Sequence, residues 1–159
     1  MADGTVTTLQ TMPWNYRPWG CGSGKNGSCN NGWIQFECCE DGLQDSTYFN
    51  KVYEEACQLT AYLCGLYNID PYGMVKVGNI QVPTILCHAD AAKLGMANAH
   101  GDVLHWFPKH GKSMDDVRAD VAKLMENTII ELPKEEEEEE MTQEKFNEFM
   151  NNYLLDLAS

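Results

Sequence analysis

The sequence predicts an α/β domain, and three observations predict it. Short β-branched or alternating segments recur at 5–12, 33–38 and 82–87. A 3.6-residue apolar stripe runs through 46–67, and a second one follows Ser113. Strands interleaved with amphipathic helices point to helices packed on a sheet.

The elements follow in order. Thr5 to Met12 is rich in Thr and Val and reads as a strand. Pro13 to Asn31 is loop, with Trp14, Tyr16 and Trp19 set among glycines. Aromatics there either plug one end of a core or form the wall of a ligand groove. Trp33 to Cys38 reads as a second strand, with Trp33, Gln35 and Glu37 on one face and Ile34, Phe36 and Cys38 on the other. Asp45 or Ser46 caps a long helix whose buried stripe is Phe49, Val52, Tyr53, Ala56, Leu59, Thr60, Leu63, Leu66 and Tyr67. Gly65 and Asn68 suit its end. Residues 72–82 read as a loop or ragged hairpin, and Val82 to Cys87 as a buried strand ending at His88. Residues 89–112 read as a long loop with a short helix at Asp90 to Leu94; a loop of that length in a compact domain is usually functional. Ser113 caps a helix that buries Met114, Val117, Val121, Leu124 and Met125.

Leu132-Pro133 ends this domain, assigned to residues 1–130. Residues 131–141 form an acidic linker containing six consecutive glutamates. Residues 142–159 read as an amphipathic helix with Phe146, Phe149, Met150, Tyr153, Leu154 and Leu157 on one face. Such a helix needs a partner: the body, a second copy, or a further module.

Composition removes several classes of function. With 43% apolar and 10% aromatic residues, the 159-residue chain is too apolar for disorder throughout. No run approaches the roughly 20 apolar residues that span a bilayer, so no membrane partner is expected. The N-terminus lacks the basic and apolar regions of a signal peptide, which implies synthesis in the cytoplasm without export by that route. The net charge of −13 argues against nucleic acid, which demands clustered Lys and Arg. Residues 131–159 carry ten acids and two bases, residues 1–130 fourteen acids and nine bases, so the body is only mildly acidic. The seven cysteines contain no C-x-x-C pair, which excludes a zinc ribbon and favours reduced thiols; a Cys21–Cys29 loop disulfide is the alternative.

The four histidines, His88, His100, His105 and His110, all fall within 23 residues, with Asp90 and Asp102 among them. Histidine is the commonest metal ligand, so this clustering points to a metal site. His88, at a strand end, is held firmly; the second ligand is Asp102, His100 or His105. Glu37 suits the base that takes a proton from metal-bound water, although spacing alone leaves open whether it faces the cluster.

Three stretches resemble the zinc-dependent N-acetylmuramoyl-L-alanine amidases of the amidase-2 type, relatives of the peptidoglycan-recognition proteins. They are Ala2-Asp3-Gly4-Thr5 to Trp14-Asn15; Phe36-Glu37-Cys38-Cys39-Glu40-Asp41-Gly42-Leu43; and Ile85-Leu86-Cys87-His88 through His100-Gly101-Asp102 to His105-Trp106-Phe107-Pro108-Lys109-His110-Gly111-Lys112-Ser113-Met114-Asp115. The last is similar to segments of phage endolysins of Firmicutes-type hosts, and the likeness covers about residues 2–125. The resemblance implies a mixed β-sheet flanked by helices and cleavage of the amide between N-acetylmuramic acid and L-alanine, on the bacterial cell wall. By position it implies His88 and Asp102 as zinc ligands, Glu37 as the residue that activates water, and His100 as the group that meets the oxyanion. Trp19, His105, Trp106 and Lys109 are the candidate contacts to peptidoglycan or muropeptide. The family's first zinc histidine lies on an early strand ahead of the Asp3-Gly4-Thr5 segment, and this chain has no histidine before His88; Gly20 stands where close relatives often carry one. The expectation is therefore an N-terminally incomplete domain. It is either a hydrolase or a remnant that binds a muropeptide, another small ligand or a protein without cleaving it. Self-association, through the 142–159 helix or an exposed sheet edge, is one way to complete it.

Overall fold

The computed structural model describes residues 5–127, so the linker and helix assigned to 131–159 lie outside the described residues. The elements are α1 (Ser46–Leu66), β1 (Met74–Val77), β2 (Ile80–Pro83), α2 (His88–Lys93), a 3-10 turn (Phe107–His110) and α3 (Met114–Asn127). Helices and a sheet are both present, which bears out the α/β class.

Helix α1 starts where a carboxylate can satisfy its free amides: Asp45 Oδ1 accepts from the Thr47 and Tyr48 N–H groups at 2.8 and 3.1 Å. It ends at Leu66 with Tyr67 as C-cap, and Asn68 just beyond takes a φ of +52°, a left-handed conformation that asparagine tolerates. Phe49, Val52, Tyr53, Cys57, Ala61 and Cys64 form its buried stripe. Leu66 and Tyr67, expected in that stripe, are exposed.

Helix α3 carries a reciprocal cap. The Asp116 N–H donates to Ser113 Oγ at 3.2 Å, and the Ser113 N–H donates to Asp116 Oδ2 at 2.8 Å. Met114, Val117 and Val121 face α1, with Leu124 and Met125 packed at the edge of the same core. At the centre sits Phe49, whose ring meets Trp106 edge-on at 5.4 Å and Phe107 at 5.5 Å, and stacks on His110 at 4.2 Å. Lys112 and Tyr53 both donate to Asp120 Oδ2, at 2.8 and 2.7 Å, tying α3 to α1.

The sheet is an antiparallel hairpin, Met74 opposite Pro83 and Val77 opposite Ile80. Gly78, at φ +57°, supplies the positive dihedral that its two-residue turn needs. The hairpin occupies the segment read as loop or ragged hairpin. The strands expected at 5–12 and 33–38 are not formed. A strand exists only with a ladder partner, and these segments are held by side-chain contacts instead. Thr8 Oγ1 donates to Glu55 Oε1 at 2.6 Å, and Gln35 accepts from the Gly20 N–H at 3.0 Å while donating to the Cys29 carbonyl at 2.8 Å. The strand expected over 82–87 stops at Pro83; the Thr84 N–H donates to the Gly73 carbonyl at 2.9 Å, the last bond in the hairpin's register.

A second, smaller core gathers Cys21, Cys29, Val82, Ala91, Met96 and Ala97. The 21–31 loop is held against the 94–98 loop by three backbone hydrogen bonds, in which the N–H groups of Asn26, Cys29 and Asn98 donate to the carbonyls of Gly95, Met96 and Cys21 at 2.8, 2.8 and 2.9 Å. Gly24 is required here, since a Cβ would lie 2.4 Å from the Gly95 carbonyl oxygen. All seven cysteines are free thiols, and burial pushes those of Cys29, Cys38 and Cys57 up to about 11.

The Lys112 hydrogen bond, assisted by Tyr53, holds the Asp120 carboxyl below the usual carboxylate range. A depressed folded value contributes stability above the unfolded value and loses it as pH falls. The wild type should therefore exceed Asp120→Asn in stability at pH 7, by up to about 1 kcal/mol for this partly exposed pair. The difference should shrink as pH falls below about 4. Urea melts of both proteins across that range check it.

Candidate metal centre and active site

The site is assembled by loops, and each loop is fixed by something regular. Arg118, on α3, donates to the Ile85 carbonyl through Nε at 3.1 Å and Nη2 at 2.8 Å, which locks the segment entering α2. Cys87 is buried and forms the N-cap, so His88 opens α2. This corrects its expected place at the end of a strand: the ladder has already ended at Pro83, and a helical turn takes over.

The returning loop is docked at two points. The Ala89 N–H donates to the Asp102 carbonyl at 2.8 Å, which brings residue 102 against the first turn of α2. Trp106, wholly buried, and Phe107 anchor the loop's far end in the core. Between these anchors, His105 donates its amide to Gly101 at 3.1 Å, closing a tight turn that gathers the polar side chains.

The side chains form a chain in which two stacked imidazoles are followed by a carboxylate, an imidazole and a second carboxylate. His88 and His100 stack with centroids 4.9 Å apart and planes inclined by 22°. His100 Nδ1 is 2.9 Å from Asp102 Oδ2. The other Asp102 oxygen is 3.4 Å from His105 Nδ1, an approach without hydrogen-bond geometry that leaves this buried nitrogen with no hydrogen-bond partner. His105 Nε2 is 2.7 Å from Glu40 Oε1. His88 Nε2 lies 2.9 Å from Asn98 Oδ1. Among the described residues, two three-residue sets offer donor atoms within 4.8 Å of one another: His88, His100 and Asp102, and Glu40, Asp102 and His105.

The first set has the chemistry zinc takes, two imidazole nitrogens and a carboxylate oxygen, on a face open to solvent. The residues present therefore fit a divalent cation. Glu37 is exposed and stands in neither set, whereas Glu40 joins one. Sequence reasoning missed Glu40, although it lies in the same acidic stretch as Glu37. Only the backbone course from Cys38 to Asp41 decides which glutamate turns towards His105.

The remaining candidates separate by burial. Trp106 is 0% exposed, so as a substrate contact it is corrected: it serves the core. His110 stacks on Phe49 and lies 3.2 Å from Ser46 Oγ, away from both donor sets. Asp90 pairs with Lys93 at 3.2 Å. Trp19 is 81% exposed with the Arg17 guanidinium 4.7 Å from its ring centre, and Lys109 is exposed. Trp14, Tyr16, Arg17 and Trp33 line an open cavity of about 420 Å³.

Comparison with known proteins gives one match. A family model described as N-acetylmuramoyl-L-alanine amidase matches residues 1–102. Neither a curated protein nor a solved structure matches.

The two tryptophans should respond oppositely to truncation. Trp106→Ala should cost about 3–5 kcal/mol of stability, and Trp19→Ala should stay within about 0.5 kcal/mol. Chemical denaturation followed by far-ultraviolet circular dichroism distinguishes them.

Proposed function

The chain belongs to the N-acetylmuramoyl-L-alanine amidase family, and on that premise we propose that it hydrolyses the amide joining N-acetylmuramic acid to the L-alanine of a peptidoglycan stem peptide, using zinc and water. The observation that carries this reading is the convergence of His88, His100 and Asp102 on one solvent-facing cluster. His88 and Asp102 are proposed to hold the ion. Zinc, when bound, polarises the amide carbonyl and makes its water acidic near neutral pH.

The chain's own residues do the rest. In this reading Glu37 receives the proton lost by water and delivers it to the leaving amide nitrogen, so that alanine departs as a neutral amine. Asn98 orients the His88 ring through its side-chain oxygen. Glu40 and His105 brace the far side of Asp102. The exposed Trp19 ring offers a face to an apolar or sugar surface, and the Lys109 ammonium suits a carboxylate on the stem peptide. Among the described residues no helix is long and apolar enough to cross a membrane, and the proposed site of action is the cell wall.

A second reading is a protein that binds muropeptide without cleaving it; it is favoured by Glu37 being exposed, with no hydrogen bond or ion pair to the histidine and Asp102 cluster among the described residues. The test separates them. Purified protein incubated with peptidoglycan should release stem peptides with a new alanine N-terminus, and a chelator should stop this. His88→Ala should lose at least about 100-fold in rate. Glu37→Gln should lose about 10²–10⁴-fold with zinc content unchanged. Retained muropeptide binding with no new alanine N-terminus at any zinc concentration would establish the second reading instead.

A further inference from the structure

We infer that the open cavity on the aromatic loop binds a sugar ring that carries a carboxylate: N-acetylmuramic acid whose lactyl group has already lost its peptide. The site thus recognises what the proposed reaction leaves on the glycan strand. The inference rests on the amidase reading for the source of that carboxylate, and on the cavity's own residues for its recognition.

The cavity has the size and lining of a small-molecule site. Its volume of about 420 Å³ falls within the roughly 300–1,000 Å³ of such sites. Trp14, Tyr16 and Trp33 contribute aromatic surface, on which the C–H faces of a pyranose can pack. Trp14 is 38% exposed and Tyr16 64%, so neither ring is used up by the core. Asn30, also in the lining, is buried and fixed: its Oδ1 accepts from the Cys21 N–H at 3.1 Å and from Gln35 Nε2 at 3.2 Å.

Arg17 supplies the charge. Its guanidinium lies over the Trp19 ring at 4.7 Å, and its Nε donates to Asn31 Oδ1 at 2.8 Å. These two contacts hold the planar group in place and leave both terminal nitrogens without a hydrogen-bond partner among the described residues. No carboxylate among those residues pairs with it. A held, unpaired guanidinium presents the fork that matches a carboxylate. Because it is fixed in advance, little freedom is lost on binding.

The chemistry of the wall polymer selects between uncut and cut strand. In the uncut strand the lactyl carbonyl is part of a neutral amide. Hydrolysis places the oxygen of water on that carbonyl carbon and breaks its bond to nitrogen. The sugar keeps a carboxylate, and alanine leaves with an ammonium group. A sugar ring with an anionic substituent therefore appears only after the cut, and it suits aromatic rings beside Arg17.

The cavity is separate from the histidine cluster yet joined to it. No member of either donor set lines it. Asn30 accepts from the Cys21 amide, the Cys21 carbonyl accepts from the Asn98 amide, and the Asn98 oxygen lies against His88. A strand cut at the cluster thus has a place to be held close by.

The test reads binding with catalysis switched off by a chelator. The full chain is titrated with glycan oligosaccharides stripped of stem peptides, with the same oligosaccharides after conversion of their lactyl carboxylates to simple amides, and with oligogalacturonate. Tryptophan fluorescence reports binding. Wild type should bind the acid form at least about tenfold more tightly than the amidated form, the size expected of a charged hydrogen-bonded pair. Arg17→Ala should bind the two forms within about twofold of each other, and Trp33→Ala should weaken both. Thermal melts establish that the variants fold. Equal binding of the two forms by wild type, binding of neither, or a folded Arg17→Ala protein that keeps the preference would each overturn the assignment. Oligogalacturonate bound as tightly as the acid glycan would overturn the lactyl group as the feature recognised. A protein with this preference that releases no stem peptide loses the amidase reading alone; one that releases stem peptide without the preference loses this inference alone.

Discussion

The edge-on contact between Trp106 and Phe49 is the constraint on which the site depends. The loop that carries His100, Asp102 and His105 has little regular structure of its own, so its position has to be imposed from its ends. Trp106 and Phe107 do this at one end by entering the core between α1 and α3. Burying a large aromatic side chain contributes about 2–3 kcal/mol, more than any surface hydrogen bond in the loop. At the other end, Arg118 reaches from α3 to the Ile85 carbonyl and fixes the approach to His88. One helix pair thus positions both sides of the site.

The polar cluster is consistent with that mechanical frame. Imidazoles and carboxylates alternate from His100 to Glu40, so each carboxylate in the cluster lies against a histidine ring. The side chains are partly exposed, which leaves room for an ion, water and a substrate. Trp14, Tyr16 and Trp33 border an open cavity on the aromatic loop.

Local rules were legible wherever the chain satisfies itself locally. Helix α1 followed from its 3.6-residue stripe and from Asp45, because periodicity and capping act within a few residues of sequence. The same holds for the cap at Ser113, and in part for residues 72–82, where the hairpin was one of two readings. The segments at 5–12 and 33–38 misled for a physical reason: β-propensity describes a residue's comfort in a ladder, and the partner strand must come from elsewhere. Trp106 misled differently. A tryptophan beside histidines suits a groove and a core equally well, and only burial separates the two.

The sequence by itself determined the long helices, their caps at Asp45 and Ser113, the concentration of histidines within 23 residues and, through its motifs, the family. These depend on interactions between residues near one another in the chain, or on residue types whose chemistry is fixed. Tertiary structure alone decided that His88 opens a helix, that Glu40 and not Glu37 reaches His105, and that His100 and Asp102 converge on His88. Those outcomes depend on where long-range packing brings loops together, and a side chain's distance to a residue far along the sequence is written nowhere in its neighbours.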